Sequence, residues 1–161
     1  IRPAIGCSGI MPADIVSPAE RSRMMAAIKG KNTKPELAIR SALHRAGFRF
    51  RLHRRDLPGR PDMVFTRYNA VMFIHGCFWH GHDCHLFRWP ATRTAFWRDK
   101  INGNINRDRR QYRALRDAGW RVATIWECAL KGRARRDFPS MIEDCMLWLR
   151  SDDPELEIRG A

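Results

Sequence analysis

Ten consecutive residues, Gly76 to His85, read GCFWHGHDCH and hold two cysteines, three histidines, one aspartate and an adjacent Phe-Trp pair. Thiolates and imidazoles are the donors that zinc prefers, four of them in a tetrahedron. Cys77, His82 and Cys84 are near enough in sequence to share one ion through a tight loop, with Gly81 giving the backbone freedom to turn. Three ligands do not close a structural site. Cys128 is the better fourth, because it follows an apolar run that reads as a strand and could neighbour the strand leading into Cys77. His85 competes for the same place, and the plain alternative is two ordinary buried cysteines with surface histidines. Cys7 and Cys145 have no such company, and Cys145 reads as a small apolar core residue.

A filled metal site leaves His75 and His80. Imidazole titrates near neutral pH, so either could act as a general base, although a purely structural histidine is the simpler role. Asp62 ends the segment LPGRPD and heads an apolar strand, which puts a carboxylate at a strand end beside a basic loop. Magnesium is bound by few carboxylates, keeps several waters and bridges to phosphate oxygens, and an aspartate in that place suits such an ion. Capping a turn is its competing role. Arg60, in the same loop, is a candidate contact to a nucleic-acid backbone. Phe78 and Trp79 stand between candidate ligands, where large aromatics cannot all be buried; such side chains inserted into a duplex unstack a base step. Trp97 and Asp108 are eleven residues apart on a helical segment, hence on nearly one face and about 16 Å apart along the axis. Asn104 lies between them on that face, which would fit a helix running beside a duplex; core packing is the alternative for Trp97.

The elements that must hold these residues are legible from caps, periodicity and breakers. Ser17 to Gly30 opens on a serine cap and closes on glycine. A second helix follows, with Thr33 as cap, Glu36 three residues on as in a capping box, and Gly47 as its stop. Phe48 to His53 alternates strictly and predicts a half-exposed strand. MVF and AVMFIH predict a hairpin with Asn69 in its turn. Thr94 to Ala118 is helical in pattern, Trp120 to Glu127 predicts a central strand, and FPSMIEDCMLWLR predicts a closing amphipathic helix. The expected class is α/β, a mixed central sheet with helices on its faces. Residues 17–150 are expected to form a single domain, with a flexible extension over 1–16 and a C-terminal tail over 151–161. Met11 is a candidate natural start.

Thirty Lys+Arg against seventeen Asp+Glu give a formal charge of +13, spread along the chain, which points to a polyanionic partner and by default nucleic acid. No apolar run approaches the roughly 20 residues that span a bilayer, and no helix pairs a basic face with a broad apolar one. Five cysteines without framework spacing argue for reduced thiols or a metal site and an intracellular protein.

Taken together, LPGRPD, HGCFWHGHDC, PATRTAFW, NRDRR and GWRVATIWECALKGR closely resemble the very short patch repair (Vsr) endonucleases, in the family's order and over about Ser17 to Arg133. The resemblance implies a restriction-endonuclease-like core with a structural zinc loop. It implies a magnesium-dependent nick on the 5′ side of the thymine in a T:G mismatch left by deamination of 5-methylcytosine. By matching position, Asp62 and the backbone carbonyl of Ile74 would bind magnesium, His80 would be the general base, and Asp108 would orient it. His75 and Glu36 would complete the active centre. Cys77, His82, Cys84 and Cys128 would hold the zinc, which favours Cys128 over His85. Phe78, Trp79 and Trp97 would intercalate beside the mismatch, with Arg60 and Asn104 among the expected DNA contacts. Double-stranded DNA would be the partner of a monomer in the bacterial cytoplasm at the nucleoid, with mismatch-repair proteins as further partners. Two departures stand out: Ile74 replaces the threonine of familiar members, and HGHDC replaces a more histidine-rich run. Two other readings share these residues: a sequence-specific nicking or restriction enzyme acting on matched DNA, and a catalytically silent, zinc-stabilised protein that binds distorted DNA.

Overall fold

The computed structural model describes Ser17, Ala19, Glu20, Arg23 and residues 32–161. The chain divides into two units, residues 1–33 and 34–161. In the first, the Glu20 backbone N–H donates to Ser17 Oγ (3.2 Å) and the Ser17 N–H donates to Glu20 Oε2 (2.9 Å). This reciprocal capping box satisfies two donors at a helix start, and Ala19, Glu20 and Arg23 are helical. The other positions of the expected Ser17–Gly30 helix, and the extension over 1–16, lie outside the described residues.

The second unit runs α1 (Lys34–Arg45), β1 (Met63–Phe65), β2 (Ala70–His75), α2 (Thr94–Asp117), β3 (Arg121–Trp126), α3 (Phe138–Arg150) and β4 (Glu155–Ile158). The strands form one sheet in the order β1-β2-β3-β4. The β1–β2 hairpin is antiparallel, and the β2–β3 and β3–β4 pairs are parallel. The hairpin turns as expected at Asn69, which takes the left-handed conformation (φ 46°) behind a 3₁₀ turn at Thr66–Tyr68. The expected central strand is β3, flanked on both sides.

Side chains alternate along a strand, and this decides what each face of the sheet carries. Ala70, Met72, Ala123 and Ile125 pack with Ile39 and Leu43 of α1 and with Met141, Cys145 and Leu149 of α3. Val71, Phe73 and Val122 pack on the other face with Leu115 of α2. Both faces are covered, which is why β2 and β3 read as near-continuous apolar runs. Continued two residues further, the alternation puts His75, Thr124 and Trp126 on the α2 face, at the carboxyl ends of parallel strands.

Two expectations are corrected. Phe48–His53 is not a strand of the sheet: Phe48 and Phe50 turn inward as the alternation requires, but only Arg51 pairs, through a single bridge to Val64. The left-handed backbone of His53 (φ 45°) ends the extended stretch. Conversely, residues 151–161 are more than a tail, since they carry β4. That strand is four residues long, at the sheet edge, and buries only Ile158 fully, so it lacks the apolar run that marks an interior strand.

Arg121, the first residue of β3, ties several of these pieces together. Its Nη1 donates to the carbonyls of Trp148 (2.9 Å) and Asp153 (3.3 Å), and its Nη2 to those of Leu149 (3.0 Å) and Tyr68 (3.0 Å). The guanidinium also lies 4.7 Å over the Trp148 ring. The last carbonyls of α3 have no partner within the helix, and one fork serves two of them. Arg121→Ala is expected to lower the unfolding free energy by about 2–3 kcal/mol in urea titrations. Arg121→Lys should recover little, because an ammonium cannot span the same acceptors. An alanine variant within about 0.5 kcal/mol of wild type would contradict this role.

Candidate functional site

The parallel register sets His75 of β2 opposite Trp126 of β3, so the segments that follow, Gly76–His85 and Glu127–Ala129, leave the sheet side by side. Cys77, His82, Cys84 and Cys128 converge there, one donor atom of each lying within 4.8 Å of the others. His82 Nδ1 is 3.5 Å from Cys77 Sγ and 3.6 Å from Cys128 Sγ. For zinc with bonds of about 2.3 Å to sulfur and about 2.0 Å to nitrogen, the edge of the tetrahedron is about 3.6 Å. Donor types, spacing and burial therefore fit a four-coordinate closed site. Burial and the nearby Arg159 charge hold the His82 imidazole below its usual range, in the neutral form a metal takes. Burial pushes the Cys77 thiol up, with Cys128 and Cys84 beside it; a divalent cation reverses that tendency. His85 stays outside the group. The chain beyond β4 closes over it: Gly160 N–H donates to Cys128 Sγ (3.2 Å) and Arg159 to the Asp83 carbonyl (2.7 Å). A Cβ at Gly160 would lie 2.8 Å from the carbonyl oxygens of Cys128 and Ala134, so only glycine fits there.

The loop is also gripped by one stripe of α2. Residues four apart on a helix share a face, and Asn104, Asp108 and Tyr112 use it in turn. Asn104 Nδ2 donates to the Trp79 carbonyl (2.9 Å), Asp108 Oδ2 lies 2.5 Å from His80 Nδ1, and the Tyr112 hydroxyl is 3.4 Å from His75 Nδ1. Gly81 is pressed between Ile101 and Ile105, with a left-handed backbone (φ 59°) that leaves no room for a side chain. Asn104 therefore also holds the loop through its Nδ2. In the neutral tautomer that carries its proton on Nδ1, towards Asp108, the His80 ring would present Nε2 as an acceptor. Its ring stacks on His75 at 3.7 Å and 3°. Burial, and secondarily the His80 charge, hold His75 well below the usual imidazole range, so the stack need not contain two cations.

Asp62, at the start of β1, is half-covered in a second group. Its Oδ2 accepts from the Ile74 N–H (2.7 Å), and its Oδ1 lies 3.8 Å from His53 Nδ1. Glu36 and Arg40 of α1 are buried beside it and paired at 2.9 Å. The five expected active-centre residues therefore fall into two adjoining sets, Glu36 with Asp62 and His75 with His80 and Asp108. Arg60 is exposed in the loop before Asp62, with a left-handed backbone (φ 49°). Phe78, Trp79 and Trp97 form one cluster, at ring separations of 5.2 to 6.1 Å, and all three are partly exposed.

Four residues of this region escaped the sequence reading. Tyr112 is signalled by its four-residue offset from Asp108. Trp126 stacks on His82 (4.0 Å) and meets His75 edge-on (5.5 Å), joining the two clusters; its place just before Cys128 at a strand end is the available signal. Arg40 and His53 carry none, since their meeting depends on how α1 lies against the loop.

Burial is the largest influence on Asp62 and raises its carboxyl to about 6; the Ile74 N–H opposes it, and the Glu36 charge adds to it. The native state therefore keeps this proton to higher pH than the unfolded chain does. The resulting stability is complete below the ordinary value near 3.8 and lost as pH rises through about 6. Without added magnesium, Asp62→Asn should exceed wild type in stability by roughly 1–2 kcal/mol at about pH 7.5, the gain shrinking towards about pH 5. Urea unfolding at the two pH values checks this, and a variant less stable at the higher pH would contradict it.

Residues 13–86 match the family model described as DNA mismatch endonuclease Vsr. The chain is 44% identical over 146 residues to the DNA mismatch endonuclease Vsr of Escherichia coli, covering 91% of this chain and 94% of that protein. It is 51% identical over 117 residues to the type II nicking enzyme V.XorIIP of Xanthomonas oryzae, covering 73% and 86%. It is 42% identical over 121 residues to the type II nicking enzyme V.NmeAIP of Neisseria meningitidis, covering 75% and 86%. Among the described residues no helix is long and apolar enough to cross a membrane. On these likenesses, the chain belongs to the Vsr family of DNA mismatch endonucleases.

Proposed function

We propose that this chain is a magnesium-dependent, strand-specific DNA endonuclease with a restriction-endonuclease-like core, which nicks on the 5′ side of the thymine in a T:G mismatch. The observation that carries the reading is one loop, held by one helix stripe, that sets a partly exposed aromatic cluster beside the His80–Asp108 pair. A protein that only bound distorted DNA would need the aromatics but not a base oriented by a carboxylate.

In this reading His80 Nε2 takes the proton from the attacking water, and Asp108 keeps the ring in the productive tautomer and stabilises the imidazolium that forms. His75 backs His80 by stacking. Asp62 and the Ile74 carbonyl would hold magnesium, which when bound would supply charge neutralisation at the phosphate; a carboxylate whose burial raises its proton affinity is suited to accept a divalent cation in the proton's place. Because only the backbone of residue 74 is used, isoleucine serves where threonine is familiar. Cys77, His82, Cys84 and Cys128 hold a structural zinc. Phe78, Trp79 and Trp97 enter the duplex beside the mismatch, while Arg60 and the broadly distributed positive charge contact phosphates. Distorting a matched pair costs only a few kcal/mol more, so base contacts complete the selectivity.

The relatives named type II nicking enzymes support nicking as the reaction, and the alternative to a mismatch nick is nicking of matched DNA at a defined sequence. End-labelled duplexes that differ only at one T:G or T:A pair, with and without magnesium, separate the two. The expected result is a magnesium-dependent nick on the thymine strand of the mismatch alone, lost in Asp62→Ala with DNA binding retained, since the basic surface is untouched. Equal nicking of both duplexes would establish the alternative, and full-rate nicking by Asp62→Ala would remove Asp62 from the reaction.

A further inference from the structure

His53 takes no part in the chemistry above, yet three features of its setting point in one direction. Its backbone is left-handed (φ 45°), a conformation that a residue other than glycine keeps only where its surroundings hold it, and one that clusters at functional sites. Its Nε2 lies 3.0 Å from Arg40 Nη2. Its Nδ1 faces Asp62 Oδ1 at 3.8 Å.

The Arg40 contact fixes the tautomer. A guanidinium has donors and no acceptor, so Nε2 must accept and the ring proton must sit on Nδ1. Arg40 is itself held, because Nη2 directs its other hydrogen to Glu36 Oε2 at 2.9 Å, with both side chains buried. Glu36 therefore acts at one remove, through Arg40, on the ring that faces Asp62.

The tautomer also chooses between two roles. Glu36, His53 and Asp62 are close enough together to surround one ion. A nitrogen that carries a proton has no lone pair for a metal, however, and magnesium prefers oxygen donors. What remains is a donor aimed at a carboxylate. We infer that His53 is a positioning residue: Arg40 sets its Nδ1–H tautomer, and that N–H holds Asp62 Oδ1 as the Ile74 N–H holds Oδ2. Once that contact closes, the carboxylate is held at both oxygens, and its remaining lone pairs would face the cation. The 3.8 Å separation is longer than a formed hydrogen bond, as such contacts commonly are before a site assembles around its ligands. The inference rests on the reading of Asp62 as the cation-binding carboxylate, and it adds a second tier, Glu36–Arg40–His53, that the first reading does not contain.

The test has two arms on the purified full-length chain. The first is long-range ¹H–¹⁵N NMR of the histidine rings without magnesium, the His53 signals being identified by their loss in His53→Asn. The expected spectrum shows Nδ1 protonated and Nε2 bare in wild type, and a mixture of tautomers in Arg40→Ala. The second is Mn²⁺ binding followed by electron paramagnetic resonance, which needs no turnover. His53→Ala should weaken Mn²⁺ binding about tenfold, the scale of losing a partner of a metal ligand. His53→Asn should return it to within about threefold of wild type, because the asparagine amide N–H occupies the place of Nδ1–H and asparagine tolerates the left-handed backbone. An Nε2–H tautomer in wild type, or His53→Ala binding Mn²⁺ as wild type does, overturns this role while leaving Asp62 as the cation ligand. Unchanged Mn²⁺ binding in Asp62→Ala overturns the reading of Asp62 itself and this inference with it.

Discussion

Gly76–His85 has a structural problem that packing alone cannot solve. Apart from its cysteines it has two apolar side chains, Phe78 and Trp79, and both are only half-buried. A segment with so little to bury would be mobile, and a mobile segment cannot keep a base and a wedge at a fixed offset. The convergence of Cys77, His82, Cys84 and Cys128 answers this from one side, bringing the loop to the end of β3 through three buried residues and the half-buried Cys84. The stripe Asn104–Asp108–Tyr112 answers it from the other. Trp126 fills the space between, with its ring on His82 and its edge on His75, so the donor cluster and the His75–His80 stack share a wall.

The arrangement separates charge that must be mobile from charge that must not. Among the described residues most arginines and lysines are exposed, where they are solvated and can meet phosphates at little cost. The groups behind the site are buried and each is managed. Burial holds the His75 imidazole well below its usual range, Arg40 is paired with Glu36, and burial raises the Asp62 carboxyl to about 6. A largely covered carboxylate costs stability at neutral pH, and under the proposed function a divalent ion at Asp62 would offset that cost.

Much of this was legible in the chain. The hairpin at Asn69, the central β3 and the long α2 are each announced by a local signal: a turn residue, an apolar run, a helical period that stops at a glycine. The convergence of Cys128 with the loop cysteines follows from β2 and β3 being neighbours, which short apolar strands make the natural expectation. What remained hidden depends on tertiary placement. Phe48–His53 alternates like a strand, but alternation records only which side is buried, and hydrogen-bond pairing there is limited to Arg51. β4 is an edge strand whose exposed glutamates mask it, although its continuation carries Gly160 to Cys128. Arg40 and His53 lie on a helix and a loop, each unremarkable alone, and gain meaning only when both stand behind Asp62.

Loop rigidity is the claim on which the remaining chemistry depends, and its direct test is the metal itself. X-ray absorption at the zinc edge, together with elemental analysis of the purified chain, reports ion identity, stoichiometry and donor atoms. The account predicts one zinc per chain, bound by three sulfurs and one nitrogen at the distances of a closed tetrahedral site. A chain that is folded and able to bind mismatched DNA with no stoichiometric metal, or with a coordination shell lacking three sulfurs, would contradict it.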